Sequence, residues 1–128
     1  MSSSRKILVV DDDEDDRDIF LEIVSELDPS ATLITAINGA DGLEKLSVNT
    51  APPNIIFLDL NMPIMNGTEF LREIKGVEIL RNIPVVILTT SNEKWVIEEV
   101  QALGARDFVT KPAKFEDWRA ALRRFILN

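Results

Sequence analysis

Acidic residues follow two apolar segments of the chain. In "ILVVDDDEDD", from Ile7 to Asp16, four apolar residues lead into six consecutive acids, and Asp59 follows the apolar run Ile55–Leu58. If carboxylates from the two segments meet, each like-charge pair about 4 Å apart costs roughly 4 kcal/mol at an effective dielectric constant near 20. A cation must then lie between them. Because the sequence has no Cys and no His, an oxygen-bound ion is expected, and Mg²⁺ suits a site with few carboxylates, several waters and a phosphate.

Hydroxyl and ammonium groups follow two later apolar segments. These residues are Thr89, Thr90 and Ser91 after Val85–Leu88, and Thr110 and Lys111 after Phe108–Val109. A carboxylate beside Mg²⁺, together with the hydroxyl of Thr89 and the ammonium of Lys111, can attack a phosphoryl group and bind its oxygens. The sequence therefore predicts phosphoryl chemistry if the ends of these segments meet.

Short apolar runs alternate with amphipathic stretches along the whole chain, which predicts alternating strands and helices. The predicted strands are Ile7–Val10, Leu33–Ile37, Ile55–Leu58, Val85–Leu88 and Phe108–Val109. The predicted helices contain Ile19 to Leu27, Gly39–Leu46, Thr68–Ile74, Val96 to Leu103, and Trp118 to Phe125. Continuous apolar strands are typical of a parallel sheet covered on both faces. We therefore expect an α/β fold, a doubly wound parallel sheet of five strands with five helices, whose polar residues meet beyond the carboxyl ends of the strands.

Composition narrows the function further. A chain of 128 residues fits one domain with a proper core. No uncharged apolar run approaches the ~18 residues that span a bilayer, and the start "MSSSRK" has no signal-peptide core, so we expect a cytoplasmic protein without a membrane partner. The net charge of −8 argues against nucleic-acid binding, because the chain offers no basic field to phosphates.

Four motifs together resemble one protein family. They are "VVDDD", "IIFLDLNMPIMNG", "VVILTTSN" and "FVTKP", in that order along the chain. In this combination the chain resembles the receiver domain of two-component response regulators, and is similar to the single-domain chemotaxis-type regulator over essentially all of residues 1–128. The resemblance implies a flavodoxin-like fold with strand order 2-1-3-4-5. It also implies one receiver domain with no effector domain.

The resemblance assigns a role to each site residue. It makes Asp59 the phosphoacceptor and the acidic pair Asp11 and Asp12 the holders of Mg²⁺. It makes Asn61 the residue whose backbone carbonyl completes the metal site, Thr89 the switch hydroxyl and Lys111 the lysine of the site. The remaining assignments are Met62, Pro63 and Gly67 in the loop at the edge of the site, and Pro112 after the lysine, often through a cis peptide bond.

The implied function is a phosphorelay signalling switch, a phosphoprotein that is not an enzyme but catalyses its own phosphorylation and dephosphorylation. The donor would be a phosphohistidine of a sensor histidine kinase or a histidine phosphotransfer protein. Output would be protein–protein binding through the face around Phe108, in a monomer or a phosphorylation-dependent dimer. Phe108 stands where the family has an aromatic switch residue, and from the sequence it can equally be a plain core residue.

Several nearby residues have ordinary structural explanations. The acids Asp13 to Asp16 are expected in the first turn of a helix, where the helix dipole favours negative charge. Trp118 shares an apolar stripe with Leu122 and Phe125, which predicts a core position. Trp95 lies off the apolar stripe of its helix, so with Ile97 it is a candidate for an exposed patch.

Three other functions fit part of the pattern. A calcium loop would use Asp11, Asp13, Asp15 and Glu22, but Asp16 stands where the sharp turn needs Gly and a strand precedes the acids. A haloacid-dehalogenase-like phosphatase would use Asp11 as nucleophile and Asp13 as acid/base, although the chain is short for that family. A receiver fold that binds partners without phosphorylation is the third.

Overall fold

The computed structural model describes residues 5–47, 51–62, 64–90 and 93–127. Strands and helices alternate along the chain as the sequence predicts. The strands are β1 (Lys6–Val10), β2 (Thr32–Ala36), β3 (Ile55–Asp59), β4 (Val85–Thr89) and β5 (Asp107–Thr110). The helices are α1 (Glu14–Leu27), α2 (Gly39–Ser47), α3 (Gly67–Lys75), α4 (Lys94–Ala102) and α5 (Phe115–Ile126). Among these described residues, no helix is long and apolar enough to cross a membrane.

The strands form one parallel sheet in the order β2-β1-β3-β4-β5. This order confirms the predicted doubly wound α/β fold with five strands and five helices. Every residue of β3 and β4 is buried, because neighbours cover both their edges and helices cover both their faces. The edge strand β2 is only partly buried.

Two apolar layers cover the sheet, since successive side chains of a strand point to opposite faces. On one face, Leu8 and Val10 of β1 pack with the buried side of α3 and with Val100 of α4. On the other face, Ile7 and Val9 pack with α1 and α5. The second layer is aromatic: the Phe20 ring centroid lies 5.0 Å from that of Phe57 and 5.8 Å from that of Trp118. The buried Trp118 confirms its predicted core position.

The observed elements differ from the predicted ones mainly at their ends. Ile37, predicted in the second strand, lies outside β2 and is 53% exposed. Its backbone N–H donates instead to Oδ2 of Asp41, at 2.9 Å, so it belongs to the turn before α2. Leu103 is the C-cap of α4 and not part of the helix. Asp59 and Thr89, predicted just after their strands, are the last residues of β3 and β4.

Candidate functional site

The carboxyl ends of four strands bring the predicted site residues to one edge of the sheet. Asp59 ends β3 and Thr89 ends β4, while Asp11 and Lys111 follow β1 and β5 directly. The backbone holds these ends in register: the Lys111 N–H donates to the Thr89 carbonyl at 2.7 Å, and the Asp11 N–H donates to the Ala36 carbonyl at 2.9 Å. The four polar side chains therefore lie close together, because all the strands of a parallel sheet have their carboxyl ends at the same edge.

Three carboxylates form an acidic cluster at this edge. One oxygen each of Asp11, Asp12 and Asp59 lies within 4.8 Å of the other two. Asp11 and Asp59 are buried, with relative exposures of 0% and 4%, whereas Asp12 is exposed. The cluster thus combines two buried acids with one that faces solvent. An ion can enter the cluster from this solvent-facing side.

One oxygen of this cluster, Oδ2 of Asp11, is a candidate ligand for a cation. Oδ1 of Asp11 accepts a hydrogen bond from the Asp13 N–H at 2.9 Å. Oδ2 of Asp11 is buried and has no hydrogen-bond partner among the described residues, although the Lys111 ammonium is 3.1 Å away, at ion-pair distance. A buried carboxylate oxygen without a directed donor is costly unless a cation completes its surroundings. The donor set, all oxygen, fits a hard divalent ion.

Lys111 is the cation present in the cluster. Its Nζ lies 3.1 Å from Oδ2 of Asp11, 3.4 Å from Oδ1 of Asp59 and 2.9 Å from Oδ2 of Asp16. The side chain of Lys111 is only 12% exposed, so these ion pairs are weakly screened. The contact with Asp16 was not predicted, because the acid run offered no sign of which member would turn back toward the sheet.

Burial and neighbouring charges shift the pKa values of Asp59, Asp11 and Lys111. Desolvation and, second, the charge of Asp11 raise the pKa of Asp59 from 3.8 to about 7, against the opposing effect of Lys111. Burial likewise raises the pKa of Asp11. Burial lowers the pKa of Lys111, but the hydrogen bond to Asp16 and the charges of Asp11 and Asp59 outweigh it, so the net shift is upward. The site thus holds carboxylates that are poorly stabilised as anions.

The two threonines after the fourth apolar run are separated by their burial. Thr89 is 2% exposed as the last residue of β4, while Thr90 is exposed beyond the strand. Consecutive strand residues face opposite sides, so only one of the two can face the cluster, and the buried Thr89 is the predicted one. Ser91, the third hydroxyl, lies outside the described residues.

The loop after β3 is shaped by close backbone contacts. The Asn61 N–H approaches Oδ1 of Asp59 at 3.5 Å, and the Gly67 N–H donates to the Leu60 carbonyl at 3.0 Å. A Cβ at Gly67 would overlap the carbonyl oxygen of Asp59, so this position requires glycine. Met62, in the same loop, is buried in the first apolar layer, and Pro63 lies outside the described residues.

The remaining predicted features have mixed outcomes. The described residues contain no cis peptide bond, so the bond before Pro112, for which the resemblance often implies the cis form, has the ordinary trans form. Phe108 is half-buried against the first apolar layer. Trp95 is 62% exposed, as predicted, and its Nε1 donates to Glu93 at 3.1 Å. Ile97, two residues further along α4, is half-buried.

The acid run itself divides between helix and site. The Asp13 side chain caps α1 by accepting from the N–H groups of Asp15 and Asp16, at 2.9 and 3.3 Å. The following acids lie in the first turn, as predicted. A calcium loop is incompatible with this geometry, because a strand precedes the acids and Asp16 lies within a helix.

Comparison with known proteins assigns the chain to a protein family. The family model of the response regulator receiver domain matches residues 7–123. A protein-glutamate methylesterase/protein-glutamine glutaminase of Clostridium acetobutylicum is 37% identical over 111 residues, 85% of this chain and 31% of that protein. The chain spans less than a third of the length of the first such relatives.

Solved structures agree with the family match. The phosphorylated cyanobacterial phytochrome response regulator RcpA has a TM-score of 0.90 and 28% identity, covering 96% of this chain and 91% of its own. The Mn(2+)-bound form of response regulator Rcp1 has a TM-score of 0.85 and 30% identity, covering 94% and 91%. The sheet and its acid-lined edge are those of a phosphoacceptor switch domain. This chain belongs to the response regulator receiver domain family of two-component signalling.

Proposed function

We propose that Asp59 accepts a phosphoryl group in a Mg²⁺-dependent reaction and that this modification switches the domain. The observation that carries the proposal is the juxtaposition of the Asp11, Asp12 and Asp59 carboxylates with the Lys111 ammonium. The carboxylates of Asp11, Asp12 and Asp59 and the backbone carbonyl of Asn61 would hold Mg²⁺. When bound, the ion supplies positive charge to the phosphoryl oxygens.

The transfer would begin at a phosphohistidine. A carboxylate oxygen of Asp59 forms a bond to phosphorus while the phosphorus–nitrogen bond of the donor breaks, and the imidazole nitrogen keeps the electron pair. Hydrolysis later forms a bond from a water oxygen to phosphorus while the bond between phosphorus and the Asp59 oxygen breaks. Asp59 leaves as the carboxylate, and the inorganic phosphate keeps the protons of the water. In both steps the domain positions the groups and neutralises charge, which is the main contribution of proteins to phosphoryl transfer.

Two side chains would bind the new phosphoryl oxygens. Lys111 already lies 3.4 Å from Asp59, so its ammonium needs to move little to reach an oxygen attached there. Thr89 ends the neighbouring strand and would supply a hydroxyl. These contacts exist only in the phosphorylated state, so they would shift the population toward an active form around β4, β5 and Phe108.

The partners follow from the chemistry. The sequence contains no His, so we assign the donor to a sensor histidine kinase or a histidine phosphotransfer protein. The related RcpA structure is of a phosphorylated protein and the related Rcp1 structure is of a Mn(2+)-bound form, which supports both the modification and the divalent ion. Four other points stay predictions. They are the downstream partner at the Phe108 face, the monomer or dimer state, the cytoplasmic location and the extent of one receiver domain over residues 1–128.

The test is incubation with a small-molecule phosphodonor, with and without Mg²⁺, followed by intact mass measurement and peptide mapping. We expect a labile, Mg²⁺-dependent adduct on Asp59 that is absent from the folded Asp59→Asn variant. Undiminished labelling of that variant would contradict the proposal. An adduct on Asp11 would favour the phosphatase reaction instead, and no adduct on a folded protein would favour a domain that binds partners without phosphorylation.

A further inference from the structure

The shortest ion pair of Lys111 is with a residue outside the acidic cluster. Its Nζ lies 2.9 Å from Oδ2 of Asp16, compared with 3.1 Å to Asp11 and 3.4 Å to Asp59. The Asp16 side chain is 15% exposed and that of Lys111 is 12% exposed. This is a nearly buried pair, and therefore differs from a solvated surface contact.

Helix α1 holds Asp16 in place. The helix begins at Glu14 with Asp13 as its N-cap, and the Asp16 N–H donates to Oδ1 of Asp13 at 3.3 Å. One residue later, Nη1 of Arg17 donates to the Asp11 carbonyl oxygen at 2.8 Å, which ties the first turn of α1 to the end of β1. The first turn that carries Asp16 is therefore held by contacts that do not involve Lys111.

An ammonium has three N–H groups, and three carboxylates surround this one. A phosphoryl group on Asp59 requires at least one N–H of Lys111. Of the three acids, Asp11 is also a candidate ligand of a divalent ion and Asp59 carries the phosphoryl group itself. Asp16 has neither of these roles and is paired with Lys111, so it competes with the phosphoryl oxygens for Lys111.

We propose that Asp16 is a positioning residue that holds the Lys111 ammonium beside α1 in the unphosphorylated state and opposes its transfer to the phosphoryl group. The inference rests on the proposed function, since it concerns the phosphorylated form of Asp59. The charge of Asp16 also repels an incoming anion at short range. Both effects have the same sign, so removal of this charge strengthens the binding of a phosphoryl group at Asp59.

The experiment measures the equilibrium affinity for beryllofluoride, an anion that binds a carboxylate as a phosphoryl analogue. Beryllium is titrated at fixed excess fluoride and saturating Mg²⁺, and binding is followed by amide NMR. Saturating Mg²⁺ removes any effect of the variant on metal affinity. We expect Asp16→Asn, which keeps the size of the side chain, to bind about three- to tenfold more tightly than the wild type.

Two variants separate this effect from a general change of charge. Asp15→Asn removes one charge from the same first turn at an exposed position, so we expect wild-type affinity. Asp16→Glu keeps the charge and is expected to return the affinity to near the wild-type value. Asp16→Ala tests the same prediction if the Asn variant is unstable. Equal affinities for Asp16→Asn and Asp15→Asn, or weaker binding by Asp16→Asn, would overturn the inference.

The same titration distinguishes this inference from the proposed function. If the wild type binds the analogue and Asp59→Asn does not, the proposed phosphoacceptor stands and the Asp16 variants decide the inference alone. If the folded wild type binds nothing, or binds equally well without the Asp59 carboxylate, the proposed function fails and the inference with it.

Discussion

The two ends of the parallel sheet carry charged side chains in different surroundings. At the carboxyl end, the side chains of Asp11, Asp59 and Lys111 are 0%, 5% and 12% exposed. At the amino end, Arg124 pairs with Asp107 at 3.3 Å while its side chain is 61% exposed. Nη1 of Arg5 there donates to the carbonyl oxygens of Phe125 and Ile126, at 3.0 and 2.7 Å, which satisfies the last turn of α5.

The difference shows where this fold tolerates unfavourable electrostatics. At the amino end, Arg124 is mostly exposed and Arg5 donates to backbone carbonyls, so the net effect of these two charges on stability is small. At the carboxyl end, two buried acids lie close together with raised pKa values, which lowers the stability of the domain without a divalent ion. Buried groups with perturbed pKa values of this kind concentrate at functional sites. Four substitutions test this difference between the two ends of the sheet.

Asp59→Asn should stabilise the metal-free protein at pH 8. The pKa of Asp59 is about 7 in the folded protein and 3.8 as its ordinary value, so between these pH values the folded state binds more protons than the unfolded state. Stability therefore falls as the pH rises from about 4 to about 7 and stays low above it. A shift of this size corresponds to at most about 4 kcal/mol.

The measurement is urea unfolding of both proteins between pH 4 and pH 8 in the presence of a chelator. The difference in free energy of unfolding should grow with pH and shrink when Mg²⁺ is added to the wild type, because an ion that binds only the folded state stabilises it. A difference that does not change with pH would contradict the assigned burial effect.

Lys111→Ala should destabilise the metal-free protein by about 3 kcal/mol at pH 8, because it leaves the carboxylates of Asp11, Asp16 and Asp59 without their cation. The loss should be smaller at pH 5, where the buried acids can take up protons. Lys114→Ala is the control, since Lys114 is exposed and its side chain makes no capping hydrogen bond. Thermal or urea unfolding decides, and equal losses for the two variants would contradict the prediction.

Asp12→Ala should weaken Mg²⁺ binding by at least about tenfold with little change in folding stability, because Asp12 is the exposed member of the cluster. Isothermal titration calorimetry measures the affinity directly. Asp18→Ala removes another exposed acid, from α1, and should leave the affinity near the wild-type value. Comparable weakening by both variants would mean that general charge, and not coordination, holds the ion.

Asp107→Asn makes the same chemical change as Asp59→Asn at the opposite end of the sheet. The amide keeps an oxygen for the hydrogen bond from the Phe108 N–H, 2.8 Å in the wild type, and loses only the exposed pair with Arg124. We expect a change below about 0.5 kcal/mol at any pH from 4 to 8. A large stabilisation, as expected at Asp59, would show that the two ends do not differ as described.

The order of elements and the place of the site were predictable from the sequence. Apolar runs such as Ile55–Leu58 mark strands wherever they occur, and a polar residue that ends such a run must lie at the carboxyl end of its strand. In a parallel sheet these ends coincide, so Asp11, Asp59 and Lys111 could be expected together. The exact ends of the strands were not predictable. Ile37, predicted in the second strand, lies in a turn that Asp41 stabilises.

The contacts of each charged side chain could be known only from the folded chain. The sequence could not show that Asp16 would pair with Lys111 at 2.9 Å while Asp13 caps the helix, because an acid run has no periodic signal of direction. It could not assign burial to Thr89 and exposure to Thr90. These outcomes depend on distances and desolvation between segments far apart in the chain, whereas sequence patterns report only on neighbours along it. Sequence patterns were enough to predict which chemical groups lie at this edge of the sheet. The packing of α1 against the sheet and the pairing of β5 with β4 decided which of these groups are in contact.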